Sequence, residues 1–168
     1  FDALSDDARL WIYALDTVVT ADQAGQVQDR LNRFTAQWLS HGRKVQAAAA
    51  LWHGRFLVIA AEIPDAEISG CGIDASVHAV EEIGATEGFS ILPALSIFYR
   101  HTDGALSVTD RAGFRAHVRS GAITGNTIVL DPSITRLSEF RAGLFEQPAR
   151  NTWHQMVFRI PEADPNAS

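Results

Sequence analysis

Phe56-Leu57-Val58-Ile59-Ala60-Ala61 is apolar at every position, and that continuity decides the fold. A strand with one face in water alternates apolar with polar residues, whereas an unbroken apolar run fits a strand covered on both faces, in the interior of a sheet. Leu10-Trp11-Ile12-Tyr13-Ala14-Leu15, closed by Asp16, has the same character. Val45 to Trp52 forms a third extended run, joined to Phe56–Ile63 through His53-Gly54, where glycine suits a tight hairpin turn at positive φ.

Between the first two runs lies a helix. Thr20 with Gln23 three residues later makes a capping-box pattern. Val27, Leu31, Phe34 and Trp38 then follow at spacings of four, three and four, so one face is buried and the helix is expected to run to His41-Gly42. A second helix carries Ile73, Val77, Val80 and Ile83, with Asp74 as its expected N-cap and Gly88 near its end. Leu95, Ile97 and Tyr99 mark a fourth strand. Strand, helix, strand, strand, helix, strand is the order of an α+β, ferredoxin-like split βαββαβ core, in which the first and third strands are central. Those are the two runs without a polar position.

The chain divides into an expected loose lead-in at 1–9, the ferredoxin-like core at 10–101, a hairpin and mostly helical extension at 102–160, and a disordered tail at 161–168. In the extension, Asp110 suits a helix cap ahead of Phe114 and Val118, Ile128–Leu130 reads as a short strand, Leu137, Phe140 and Leu144 mark another helix, and Asn151 suits the cap of a last turn. The open face of the sheet would carry apolar side chains. Its cover is expected from the C-terminal extension, from a homodimer contact, or from both.

Composition narrows the function. The 168 residues are 46% apolar and 20% charged, enough to bury a core. A net charge of −6 disfavours a nucleic-acid partner. Cys71 is the single cysteine, so intrachain disulfides and multi-thiolate metal sites are excluded. No apolar stretch reaches the roughly 18–20 residues of a membrane span and no signal-peptide pattern opens the chain, so no membrane partner is expected and a cytoplasmic location is. The phosphate-loop, dinucleotide and nucleophile-elbow motifs are absent, Lys44 is the only lysine, and the six histidines have no metal-ligand spacing. Neither a cofactor nor a bound metal is expected.

One segment carries possible chemistry: Ser69-Gly70-Cys71-Gly72-Ile73-Asp74-Ala75-Ser76-Val77-His78. A thiol between two glycines just ahead of a helix sits where backbone N–H groups stabilise a thiolate or grip a small anion. Three readings stand side by side. Cys71 is a buried packing residue, or Ser69, Gly70, Gly72, Asp74, Ser76 and Trp153 line a ligand site, or Cys71 is a nucleophile with His78 or His154 as its base.

The chain resembles a family of small, uncharacterised bacterial proteins through Trp11-Ile12-Tyr13, Gln37-Trp38, His41-Gly42, Arg55-Phe56-Leu57, the Ser69-Gly70-Cys71-Gly72-Ile73-Asp74 stretch and Thr152-Trp153-His154. Some members carry an ABC-transporter ATPase label, for which this chain lacks the phosphate loop and its lysine. The resemblance implies no activity. It does point to Cys71, Asp74 and Trp153-His154 as the positions of interest, and it places Gly72 where serine is expected. The combined reading is a non-catalytic module that binds a small anion or a protein partner. A cysteine-dependent enzyme and a structural subunit of a larger assembly are the alternatives.

Overall fold

The apolar runs do form strands in the computed structural model, which describes residues 1–161. In chain order the elements are β1 (Arg9–Ala14), α1 (Ala21–Gln37), β2 (Leu39–Ser40), β3 (Arg43–Lys44), β4 (Gln46–Trp52), β5 (Phe56–Glu62), α2 (Gly70–Glu87), β6 (Ile97–Arg100), β7 (Leu106–Thr109), α3 (Arg111–Arg119), β8 (Ile128–Leu130), α4 (Leu137–Arg141), β9 (Glu146–Pro148) and α5 (Trp153–Phe158). This is an α+β chain, and it divides into two units: Phe1–Leu92 with Pro132–Arg141, and Pro93–Asp131 with the chain from Ala142 onward. Among the described residues no helix is long and apolar enough to cross a membrane.

In the first unit, β1, β5 and β4 form an antiparallel sheet in that order, in the register Leu10↔Ala60 and Ala48↔Ala60. β5 is the middle strand and every residue from Phe56 to Ala61 is fully buried. The hairpin before it turns at His53 and Gly54, both at positive φ (51° and 63°), and Arg55 N–H donates to the Trp52 carbonyl at 3.0 Å. One sheet face presents Trp11, Leu57, Ile59, Ala61 and Leu51 to Val27 and Leu31 of α1 and Val80 and Ile83 of α2. Period two sends Leu10, Phe56, Val58 and Ala60 to the opposite face, where Phe140 of α4 meets Trp52 at 5.2 Å between ring centroids. The chain's own later segment therefore covers part of this face.

Several expectations are corrected here. Ile97–Arg100 does not complete the first sheet, so the split βαββαβ sheet is not closed. Segment 90–92 starts beside β1, with Asp16 N–H donating to the Ser90 carbonyl at 3.0 Å, Leu92 N–H to the Ala14 carbonyl at 2.8 Å and a single bridge Leu15↔Ile91. Pro93 follows, and β6 instead pairs in a second sheet of order β7-β6-β8-β9. The division accordingly falls at Leu92/Pro93 rather than at residue 101, and the extension holds a four-stranded sheet as well as helices. α1 stops at Gln37. Trp38 is extended, and His41-Gly42, at φ 49° and 75°, turns the small β2–β3 hairpin rather than ending a helix. Of the expected tail, residues 162–168 lie outside the described residues.

The lead-in at 1–9 is tied down. Leu4 and Ala8 are buried, Arg9 opens β1, and Arg141 of α4 holds the segment by pairing with Asp6 and donating to the Phe1 carbonyl at 3.0 Å and the Leu4 carbonyl at 2.9 Å. Of these carbonyls that of Leu4 is partly buried, and a hydrogen bond to it from a charged donor is worth on the order of 1–2 kcal/mol. Arg141→Ala is expected to release the first eight residues to limited proteolysis with a stability loss of about 1–2 kcal/mol. A digestion pattern identical to wild type would refute the tether.

In the second unit β6 is central, and Tyr99, Phe114, Val118, Val129 and Phe158 build the core beneath it. α3 begins as its sequence indicates: Asp110 caps it, its side chain accepting from Gly113 N–H at 2.7 Å.

Candidate functional site

Ser69, not Asp74, is the N-cap of α2, accepting from Gly72 N–H at 3.2 Å. The helix therefore starts a turn earlier than expected, and Cys71 and Gly72 lie inside its first turn. Ser69 Oγ lies 2.8 Å from Ser40 Oγ, which accepts from Ser69 N–H at 3.1 Å, and Trp38 Nε1 donates to the Gly72 carbonyl at 3.0 Å. The Ser69 hydroxyl thus takes one of the helix's first N–H groups, that of Gly72. Gly72, not Cys71, makes the close approach. A Cβ there would lie 2.9 Å from Ile68 Cγ2 and 2.9 Å from Ser40 Oγ, so serine does not fit without a shift. Cys71 faces solvent, against the buried reading.

The remaining residues of that segment separate. Gly70, Asp74 and His78 are exposed, whereas Ser76 is buried and donates to the Ile73 carbonyl at 2.7 Å. Tyr13 reaches Ser76 Oγ at 2.9 Å, and burial raises its phenol above the usual value, partly offset by this hydrogen bond. His78 is seven residues beyond Cys71, about 10 Å along the helix axis, and no hydrogen bond links the two among the described residues. A thiol and its base need contact at hydrogen-bond distance.

His154 and Trp153 belong to the second unit. Thr152, not Asn151, caps α5 by position. His154 is 1% exposed, stacks on Trp153 at 3.8 Å and lies 5.6 Å from the Phe114 ring, with Thr152 Oγ1 at 2.9 Å from Nδ1. Burial lowers its pKa from 6.5 to about 4, against the opposing pull of Asp131. It is a packed, neutral imidazole in the core of its unit.

Geometry brings a different set together. Arg9 at the start of β1 forms an antiparallel bridge with Arg136. Bridged residues place their side chains as direct neighbours, and like charges so placed repel. Both arginines line an open cleft of about 470 Å³ with Thr135, Glu62, Glu67 and Ile68. The neighbouring charges are unevenly used. Asp7 lies 3.7 Å from Arg136 in a solvent-exposed pair, and Glu62 accepts from Ser5 N–H at 3.1 Å. Arg9 has no carboxylate partner among the described residues; its guanidinium lies 5.3 Å from the centroid of the Trp11 ring, two residues along the same strand face. Stacked so, a guanidinium keeps its edge N–H groups for a bidentate anion. None of Ser69, Gly70, Cys71, Gly72, Asp74 or Ser76 lines this cleft. The i, i+2 relation of Arg9 and Trp11 is readable in the sequence, but nothing local connects Arg9 to Arg136.

Among the described residues no group of three or more His, Cys, Asp or Glu is placed to hold a metal ion. Comparison with protein-family models, with curated proteins and with solved structures gave no match.

Proposed function

We propose that this chain is a non-catalytic binding module for a small ligand bearing a carboxylate or phosphate, held between Arg9 and Arg136. The observation that carries this reading is the like-charged bridge. Two arginines are bridged backbone to backbone and both line a cleft of ligand size, and an exposed Asp7 partners only one of them. An anion relieves that repulsion, and the rigid sheet beneath pre-orients both donors. The first unit is read as a split βαβ core that leaves its sheet after the second helix. A cytoplasmic setting belongs to the same reading, supported by a single unpaired thiol exposed to solvent. The cysteine-enzyme alternative gains access at Cys71, but His78 stands two turns away.

The test is isothermal titration with inorganic phosphate and with small mono-, di- and tricarboxylates. Arg9→Gln is expected to weaken the best of them about tenfold or more, with Arg136→Gln smaller because Asp7 already shares its charge. Equal affinity in wild type and Arg9→Gln would sink the assignment.

A further inference from the structure

The second unit differs in charge from the first. It carries six arginines against six carboxylates, net 0, while the first unit carries seven arginines and Lys44 against fourteen carboxylates, net −6. The positive charge is arranged. Arg111, Arg115 and Arg119 recur every four residues on α3 and all three are exposed, which makes one stripe along the helix. Among the described residues neither these three nor Arg159 has a carboxylate partner; the ion pairs of this unit's other carboxylates include Arg100–Glu146, and Asp110 is engaged in capping α3. Arg111 occupies the first helical position, where the helix dipole disfavours a cation. Helix stability does not account for its charge.

An apolar patch adjoins the stripe. α5 turns His154 and Phe158 inward and leaves Trp153 40%, Met156 84% and Val157 42% exposed, at spacings of three and one. The two features are continuous: the Arg111 and Arg115 guanidiniums lie 5.8 and 5.9 Å from the Phe158 ring centroid, and that ring is 6.2 Å from Trp153. Exposed Trp and Met flanked by Arg that has no carboxylate partner among the described residues is the composition of an interface, not of a solvated face.

We propose that this surface docks an acidic, partly apolar segment of a partner protein, with its carboxylates along the arginine stripe and an aliphatic or aromatic side chain against Trp153, Met156 and Val157. Charge complementarity selects the occupant. A second copy joined through the same patch would set arginine against arginine. Extended polyanions such as a nucleic acid or an anionic bilayer meet the net charge of −6 on the whole chain. A short acidic segment senses the local patch and supplies the apolar anchor that a phosphate backbone lacks. This inference stands apart from the Arg9–Arg136 cleft.

The experiment is fluorescence anisotropy of the intact protein with a fluorescein-labelled peptide alternating glutamate with leucine and phenylalanine. Saturable binding is expected, weakened about tenfold or more by Arg115→Glu and by Met156→Asp, and weakened by added salt. Arg33→Glu on α1 is expected to leave it unchanged. All three side chains are exposed, so far-UV circular dichroism and thermal melting should show intact folds. The proposal is overturned by lack of saturable binding, by equal binding to the two patch variants, or by a glutamate-to-lysine peptide binding as well. Tighter, Arg115-dependent binding of a single-stranded oligonucleotide or of phosphatidylserine vesicles would overturn it too.

Discussion

Gly84→Ala is expected to destabilise the protein by about 2–3 kcal/mol, opposite in sign to the usual effect of this substitution within a helix. In an exposed helix interior alanine is better than glycine by about 1 kcal/mol, because glycine loses more backbone entropy on folding. Gly84 lies within α2, but the chain wraps over it. Gly88 N–H donates to the Gly84 carbonyl at 2.8 Å and Phe89 N–H to the same oxygen at 3.0 Å, with Gly88 at φ 84°. A Cβ on residue 84 would then lie 2.5 Å from the Phe89 carbonyl oxygen and 3.0 Å from its ring. A backbone oxygen cannot swing away as a side chain can, so either the helix end or buried Phe89 has to move. Gly25→Ala in α1 is the control. Nothing lies within 4 Å of its Cβ, and a gain of roughly 0.5–1 kcal/mol is expected there. Urea unfolding of the two variants should move the midpoint in opposite directions. Parallel shifts would refute the close passage of Phe89 over Gly84.

Acid is expected to remove about 2–3 kcal/mol of stability between pH 6.5 and pH 4 through His154. Its pKa is held at about 4, below the ordinary 6.5, chiefly by burial. In that window the unfolded chain binds a proton that the folded chain refuses, so stability rises with pH. The contribution is fully present above pH 6.5 and is lost as pH falls through the folded value. A shift of one unit corresponds to about 1.4 kcal/mol. His154→Phe keeps an aromatic ring against Trp153 and Phe114 but cannot titrate. Unfolding free energies at pH 7, 5.5 and 4.5 should therefore converge for that variant while they fall steeply for wild type. If both slopes agree, the buried imidazole is not the group responsible.

Much of the first unit is legible in sequence because its signals are local. Two continuous apolar runs became neighbours β1 and β5, the His53-Gly54 turn set β4 beside β5, and Asp110 capped α3. The fourth strand was not legible. Leu95, Ile97 and Tyr99 show the right alternation, but periodicity does not say which sheet a strand joins, and Pro93 redirects the chain after one bridge at Ile91. Trp38 shows how a correct burial can hide a wrong backbone: the residue is buried as the 27, 31, 34, 38 spacing implies, yet it stands extended after the helix has ended. At the site, serine was available at 69 to cap a full turn before Asp74, so the local pattern was ambiguous by one turn. Arg9 and Arg136 lie 127 residues apart in the chain, and only folding brings them together.

The return of Pro132–Arg141 to the first unit governs how the protein emerges from the ribosome. Everything through α2 can be synthesised while the sheet face bearing Phe56, Val58 and Ala60 still lacks Phe140 and its neighbours, and Arg141, the anchor of the N-terminal residues, is made later still. The second unit is likewise interrupted, since β9 and α5 follow that return. Neither unit is one continuous stretch of translated chain. A nascent chain halted after Leu92 carries one uncovered apolar sheet face, the kind of surface that chaperones hold and that aggregates without them.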